Sequence, residues 1–188
     1  MLVAALLAFE SVAQTTDVRR FEWEVGVGLA DGLSSLNLDK CTPGPKLYTE
    51  LRYNIKALPI DVGIHATSSY FWRSAEQVQN ADRLKTSAVN IMAVADYNLF
   101  RGRKFSVFAG VGVGLGVLDM SYPINITAPD AHWAGYSTGE GKNKPCFSPR
   151  VGIELFNHLR LTVHYMAEEK ANNHFGFSIG AVLGGGRK

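Results

Sequence analysis

Charged and polar side chains recur at two-residue spacing through otherwise apolar stretches of this chain: Glu24, Glu50, Arg52, Asp61, His65, Asp96, Arg150, Glu154, Arg160 and His164. Carboxylates close to guanidinium groups form forked, charge-assisted hydrogen bonds. Such a set can be a packed polar network, or it can be a proton or ion path or an active site. Asn54, Gly63, Thr67, Asn90, Asn98 and Thr162 share the same spacing. Arg52 with Asp61 and Arg160 with Glu154 are the expected ion pairs, each across a tight turn. Acids outnumber bases in this set, so some carboxylates must be protonated, hydrated or paired with histidine.

Other motifs carry less chemistry. In Gly110-Val111-Gly112-Val113-Gly114-Leu115-Gly116 the glycines recur every second residue, whereas a phosphate loop spaces them G-x-G-x-x-G at a turn that opens a helix. They read instead as room for large inward neighbours such as Phe108. None of the five histidines, His65, His132, His158, His164 and His174, pairs at H-x-x-x-H spacing, so no metal is expected. No G-x-S-x-G elbow is present, so no catalytic residue and no cofactor is assigned. Cys41 and Cys146 are the only cysteines; on an oxidising side of a membrane a disulfide between them is permitted.

The elements that must position these residues are strands. In Phe21–Ala30 the odd positions are Phe21, Trp23, Val25, Val27 and Leu29, and the even ones are Glu22, Glu24, Gly26, Gly28 and Ala30. Successive strand side chains point to opposite faces, so one face is greasy and the other polar or small. Seven further segments alternate in the same way: Lys46–Ile55, Pro59–Tyr70, Thr86–Leu99, Phe105–Leu118, Cys146–Phe156, Leu159–Ala167 and Phe175–Leu183. The third inverts parity, with Ile60, Val62 and Ile64 apolar; Thr49 is an exception in the second. Ser68 is expected to face out, Val94 and Val182 in, and Pro149 to interrupt pairing because it lacks an N–H.

Several segments reach the ~9–11 residues that a tilted strand needs to cross a bilayer. Tight turns (Lys56-Ala57-Leu58, Arg101–Lys104, Asn157-His158) alternate with long links (Asp31–Pro45, Phe71–Lys85, Asp119–Pro145, Glu168–His174). Short turns at one end and long loops at the other are the asymmetry of an outer-membrane barrel. Aromatics gather near strand ends: Phe21, Trp23, Tyr53, Tyr97 and Phe105 at one rim, and Tyr70, Phe71, Trp72, Phe147, Tyr165 and Phe175 at the other.

The chain has 188 residues and a formal charge of +2, which gives no case for nucleic acid. No stretch approaches the ~20 apolar residues of a spanning helix. Residues 1–13 read as a truncated secretory signal ending in Ser11-Val12-Ala13, and no cysteine follows to carry a lipid anchor. Residues 14–20 read as a periplasmic segment, 21–183 as the barrel and 184–188 as a flexible tail.

The strand pattern of residues 21–183, clearest in Phe105–Leu118 and His174–Leu183, resembles the small eight-stranded outer-membrane β-barrel family, OmpA/OmpX-like and related. The resemblance implies an antiparallel up-and-down transmembrane barrel in a Gram-negative outer membrane, monomeric, with both termini periplasmic. It also implies contact with outer-membrane lipids and lipopolysaccharide, and with the barrel-insertion machinery. Many members end in an aromatic residue that this machinery reads; here Leu183 stands near that place and Gly-Gly-Gly-Arg-Lys follows. No peptidoglycan-binding domain follows the barrel, so an OmpA-type wall anchor is not expected.

The leading functional expectation is a non-enzymatic structural or surface-interaction scaffold. Its contact surface would be Tyr122, Trp133 and Tyr136 in the longest loop, and the extracellular partner is unspecified. The alternatives are a lipid-modifying barrel enzyme, and a soluble lipocalin-like carrier with its apolar face turned inward around a ligand.

Overall fold

The computed structural model of the protein describes residues 19–32, 41–55, 58–74, 83–102, 104–124, 135–138, 142–168 and 173–184. The expected signal, Trp133 and the tail beyond Gly184 lie outside them. Ten strands follow in order: β1 (Phe21–Gly32), β2 (Cys41–Thr42), β3 (Gly44–Asn54), β4 (Ile60–Ser74), β5 (Arg83–Arg101), β6 (Phe105–Ile124), β7 (Gly135–Thr138), β8 (Lys142–Leu155), β9 (Leu159–Met166) and β10 (His174–Leu183). Eight of them run antiparallel in the order β4-β3-β1-β10-β9-β8-β6-β5, and a β4–β5 pairing closes the sheet. The two-residue β2 pairs with β4, and β7 pairs with the far end of β6. Closure matters because an open edge would leave a row of unpaired backbone groups.

The alternation read from the sequence becomes the two faces of this wall. Among the described residues thirty large apolar side chains are exposed, with Phe21 at 63%, Leu115 at 61% and Ile64 at 61%. Twenty-one polar or charged residues are buried, against nine apolar ones. A water-soluble monomer rarely exposes an apolar patch beyond ~300–600 Å². Here the exposed apolar residues lie on all eight strands. The inward-facing apolar arrangement of a lipocalin-like carrier is therefore excluded: the greasy face is outside.

Thr49, the polar exception on the outer face, is satisfied within the wall. Trp23 Nε1 donates to its Oγ1 at 2.8 Å, and the hydroxyl donates to the Glu24 carbonyl at 3.0 Å. Ser68 faces outward at intermediate exposure, and Val94 and Val182 are buried inside. Aromatic pairs mark both rims, Phe21–Tyr53 (5.2 Å) and Phe100–Phe105 (4.8 Å) at the short-turn end and Tyr165–Phe175 (5.1 Å) at the other.

Two irregularities refine the strand reading. Pro149 does not stop β8 from pairing with β6, where it sits opposite Val111. The interruption falls on the other side only. The β8–β9 ladder ends at Arg150–His164, and a single bridge, Phe147–Ala167, resumes it in the same register. Phe147 exchanges both backbone bonds with Ala167 at 2.8 Å, so Pro149, two residues on, turns its missing N–H toward β9. The second irregularity is a register shift between Asn98 and Phe100. Leu99 and Phe100 are both exposed, and parity flips beyond them, which turns Arg101 toward the interior. The β8–β9 turn spans Phe156–His158, where Phe156 and Asn157 have φ values of 54° and 58° and His158 N donates to the Leu155 carbonyl at 3.0 Å.

Candidate functional site: the polar lumen

An eight-stranded barrel is just wide enough for side chains to fill it. Inward positions are the even ones of β1, β3, β5, β6, β8, β9 and β10 and the odd ones of β4. Large residues there need small neighbours. A Cβ on Gly152 would come within 2.5 Å of the Phe108 ring, so the glycine makes the space that this ring occupies.

The short-turn half of the lumen is an ion-paired lattice. Arg150 bridges two carboxylates: its Nε and Nη2 donate to Asp96 at 2.7 and 2.8 Å, and its Nη1 and Nη2 donate to Glu50 at 2.5 and 2.9 Å. Arg52 donates to Glu24 at 2.8 Å and to Glu22 at 3.1 Å, with Glu50 at 3.4 Å and Glu154 at 3.6 Å. Arg160 binds Asp96 and lies 3.6 Å from Glu154, with its guanidinium carbon 3.5 Å above the Phe108 ring centre. The excess of carboxylates is taken up by neutral donors and by histidine. Tyr48 donates to Glu24 (2.5 Å), Asn54 to Glu22 (2.7 Å) and Asn98 to Asp61 (2.7 Å). His65 Nδ1 stands 2.8 Å from Glu50 Oε2; a carboxylate accepts only, so this nitrogen carries the proton.

The expected pairs divide. Arg160 and Glu154 meet, but Arg52 and Asp61 do not. Register sets Gly63 opposite Arg52 and Asn54 opposite Asp61, and the Asp61 carboxylate binds Arg101 at 2.5 Å instead. Arg101 escapes an alternation reading because the bulge inverts its parity. Glu22, Lys46 and Tyr48 stand at even, inward parity in their strands, a signal that was present and not used.

The long-loop half is less charged. Lys46 is 2% exposed, and its Nζ donates to His164 Nε2 at 2.8 Å. The His164 and His174 rings meet edge to face at 6.2 Å. Above the ion lattice, Met92, Val94, Cys146 and Met166 form a small buried apolar cluster. Cys146 is a free, buried thiol in β8, so the disulfide with Cys41 does not form. The backbone of Cys41 pairs with Arg73 on β4, three strands around the wall from β8. Tyr122 and Tyr136 lie on the paired extensions β6 and β7 rather than in an unstructured loop.

A cavity with room for about 10 Å³ of water centres lies between the halves, lined among others by Lys46, His65, Ser148, Arg150, Thr162 and His164. That is about one water molecule. The serines and histidines that share it face the lumen and not the lipid-facing rim where an acyl-chain enzyme would need them. Among the described residues no group of three or more His, Cys, Asp or Glu is arranged to hold a metal ion.

No protein-family model matches the sequence, and no curated protein matches it. Solved structures do match in shape. The outer membrane protein OprG from Pseudomonas aeruginosa superposes with a TM-score of 0.60 at 14% identity, over 89% of this chain and 97% of OprG. Neisserial surface protein A superposes with a TM-score of 0.52 at 13% identity, over 88% of this chain and 96% of that one. Identities this low speak for architecture alone. The chain has the fold of the small eight-stranded outer-membrane β-barrels.

Proposed function

We propose that this protein is a closed outer-membrane barrel of a Gram-negative bacterium that serves as a structural membrane component and as a scaffold for surface contacts made by its long loops. The observation that supports this reading is the pairing of a lipid-type exterior with a filled interior. Among the described residues thirty large apolar side chains are exposed, while the inward carboxylates Glu22, Glu24, Glu50, Asp61, Asp96 and Glu154 contact at least two polar partners each. A lumen so occupied favours the ends of the barrel as the place of activity. On this reading both termini are periplasmic, the long loops face outward among lipopolysaccharide, and the segment around Tyr122, Trp133 and Tyr136 is the contact surface.

The test is gel migration of the protein from washed membranes, unboiled against boiled in SDS. A membrane-fraction band whose mobility changes on boiling supports the closed lipid-facing barrel; a soluble protein without the change overturns it. An epitope inserted between residues 125 and 134 should be reached by antibody on intact cells. Labelling only after permeabilisation would reverse the orientation.

A further inference from the structure

Along the sequence, charge is distributed very unequally between the short connections with their flanking segments and the long links. Apart from Arg101, which is turned inward to Asp61, the short connections and flanking segments (14–20, 55–59, 101–104, 156–158 and 184–188) hold in sequence seven Lys or Arg against one acid, Asp17; of these bases Arg19, Arg20 and Lys104 are among the described residues. The long links (31–45, 71–85, 119–145 and 168–174) hold seven Lys or Arg against nine acids. The overall charge of +2 hides this asymmetry.

We propose that the short-turn rim binds the headgroups of anionic phospholipids, an inference that rests on the membrane-barrel reading above. Depth is the first argument. Arg20, exposed, directly precedes the outward Phe21, and Lys104, exposed, directly precedes the outward Phe105. Aromatic rings at a strand end sit at the edge of the hydrocarbon, and a long basic side chain beside them reaches the phosphate layer.

Distribution around the wall is the second argument. The Arg20 carbonyl accepts from Asn54 N at 2.7 Å, which fixes it between β1 and β3. The Lys104 carbonyl accepts from Phe156 N at 2.6 Å, which fixes it between β6 and β8. β1 and β6 are four strands apart in an eight-stranded ring, so the two bases stand on opposite sides. Charge on opposite sides of the rim matches an annulus of lipid; a compact partner would need it on one side.

The experiment compares the full-length protein with an Arg19→Glu, Arg20→Glu, Lys104→Glu variant, each folded into phosphatidylcholine bilayers that contain a trace of spin-labelled phosphatidylglycerol or spin-labelled phosphatidylcholine. The wild type should hold the anionic probe preferentially at its surface, on the order of fivefold at a site beside one of these bases, since each base near a membrane contributes about that factor before screening. The preference should shrink at 1 M salt, where the Debye length is ~3 Å, and fall to about one in the variant. Equal retention of the two probes by the wild type, or a preference that the variant keeps, would overturn the proposal. The boiling-dependent gel shift, read on the same samples, reports whether the barrel itself has formed and so separates failure of the rim from failure of the membrane reading. An Arg20→Gln, Lys104→Gln pair, which should lose part of the preference, serves if the triple variant does not fold.

Discussion

The two halves of the lumen fill the same cylinder with different chemistry. In the short-turn half, Arg52, Arg150 and Arg160 each touch at least two carboxylates, and nearly every charge has its counter-charge in contact. In the long-loop half a single lysine leans on a single histidine, and apolar residues (Met92, Val94, Met166) take over from ions. The ion lattice is mutually dependent, because removing one arginine strands two carboxylates at once. The upper half is modular, because each contact there has few dependants. Stability against substitution should follow that division.

The largest effect is expected from Arg150→Met, which leaves Asp96 with Arg160 alone and takes two donors from Glu50. Breaking a buried pair from one side costs on the order of 3–5 kcal/mol. It should appear as a lower urea midpoint for the barrel folded in lipid vesicles. Adding Glu50→Gln and Asp96→Asn should recover most of that loss; a triple variant no better than the single one would show that packing of the guanidinium, and not charge, holds this half together.

Gly152→Val tests steric complementarity in the same half, because its side chain would meet the Phe108 ring and the Leu161 carbonyl. Overpacking of this kind costs about 1–3 kcal/mol, read from the same unfolding curves. A companion Phe108→Leu should relieve the part due to the ring and leave the part due to the Leu161 carbonyl.

Lys46→Met probes the upper half. The bond to His164 and the contact of the ammonium with the Tyr48 ring, 5.7 Å from its centre, are lost, and no carboxylate loses a direct donor, so the cost should stay near ~1 kcal/mol. A loss as large as that of Arg150→Met would erase the contrast between the halves.

The smallest effect is expected from Cys146→Ala, which trims a small side chain in the apolar cluster. Its thiol is 5% exposed, so in a Cys41→Ser background a maleimide should react slowly with the folded barrel and rapidly after denaturation. Fast labelling of the folded protein would mean that the upper lumen opens to solvent.

Strand positions were legible because each strand has one face in an apolar environment and one in a polar one, and period-two alternation records that difference residue by residue. Phe105–Leu118 as read from alternation lies wholly within β6, and Leu159–Ala167 overruns β9 by one residue. The extensions were not legible: β6 continues to Ile124 and β5 starts at Arg83, beyond the regular alternation. Glu24, Glu50, Asp96, Arg150 and Arg160 were recognisable as inward residues. Which arginine would meet which carboxylate was not, because opposite-charge partners come from strands distant in sequence, Glu50 and Arg150 being 100 residues apart.

By itself the sequence determined the eight strands of the barrel wall and which face of each is polar, since both depend on local order along the chain. Tertiary structure alone decided that the greasy face points outward, that Asp61 takes Arg101 in place of Arg52, and that Cys146 stays a free thiol. Closure decides the first, because alternation is symmetric with respect to inside and outside until the sheet curls and its narrow lumen admits only one of the two sets. Register and a single bulge decide the second, since one extra residue in β5 exchanges the faces beyond it. The third follows from distance around the ring, for Cys41 and Cys146 belong to strand ladders that the barrel holds apart.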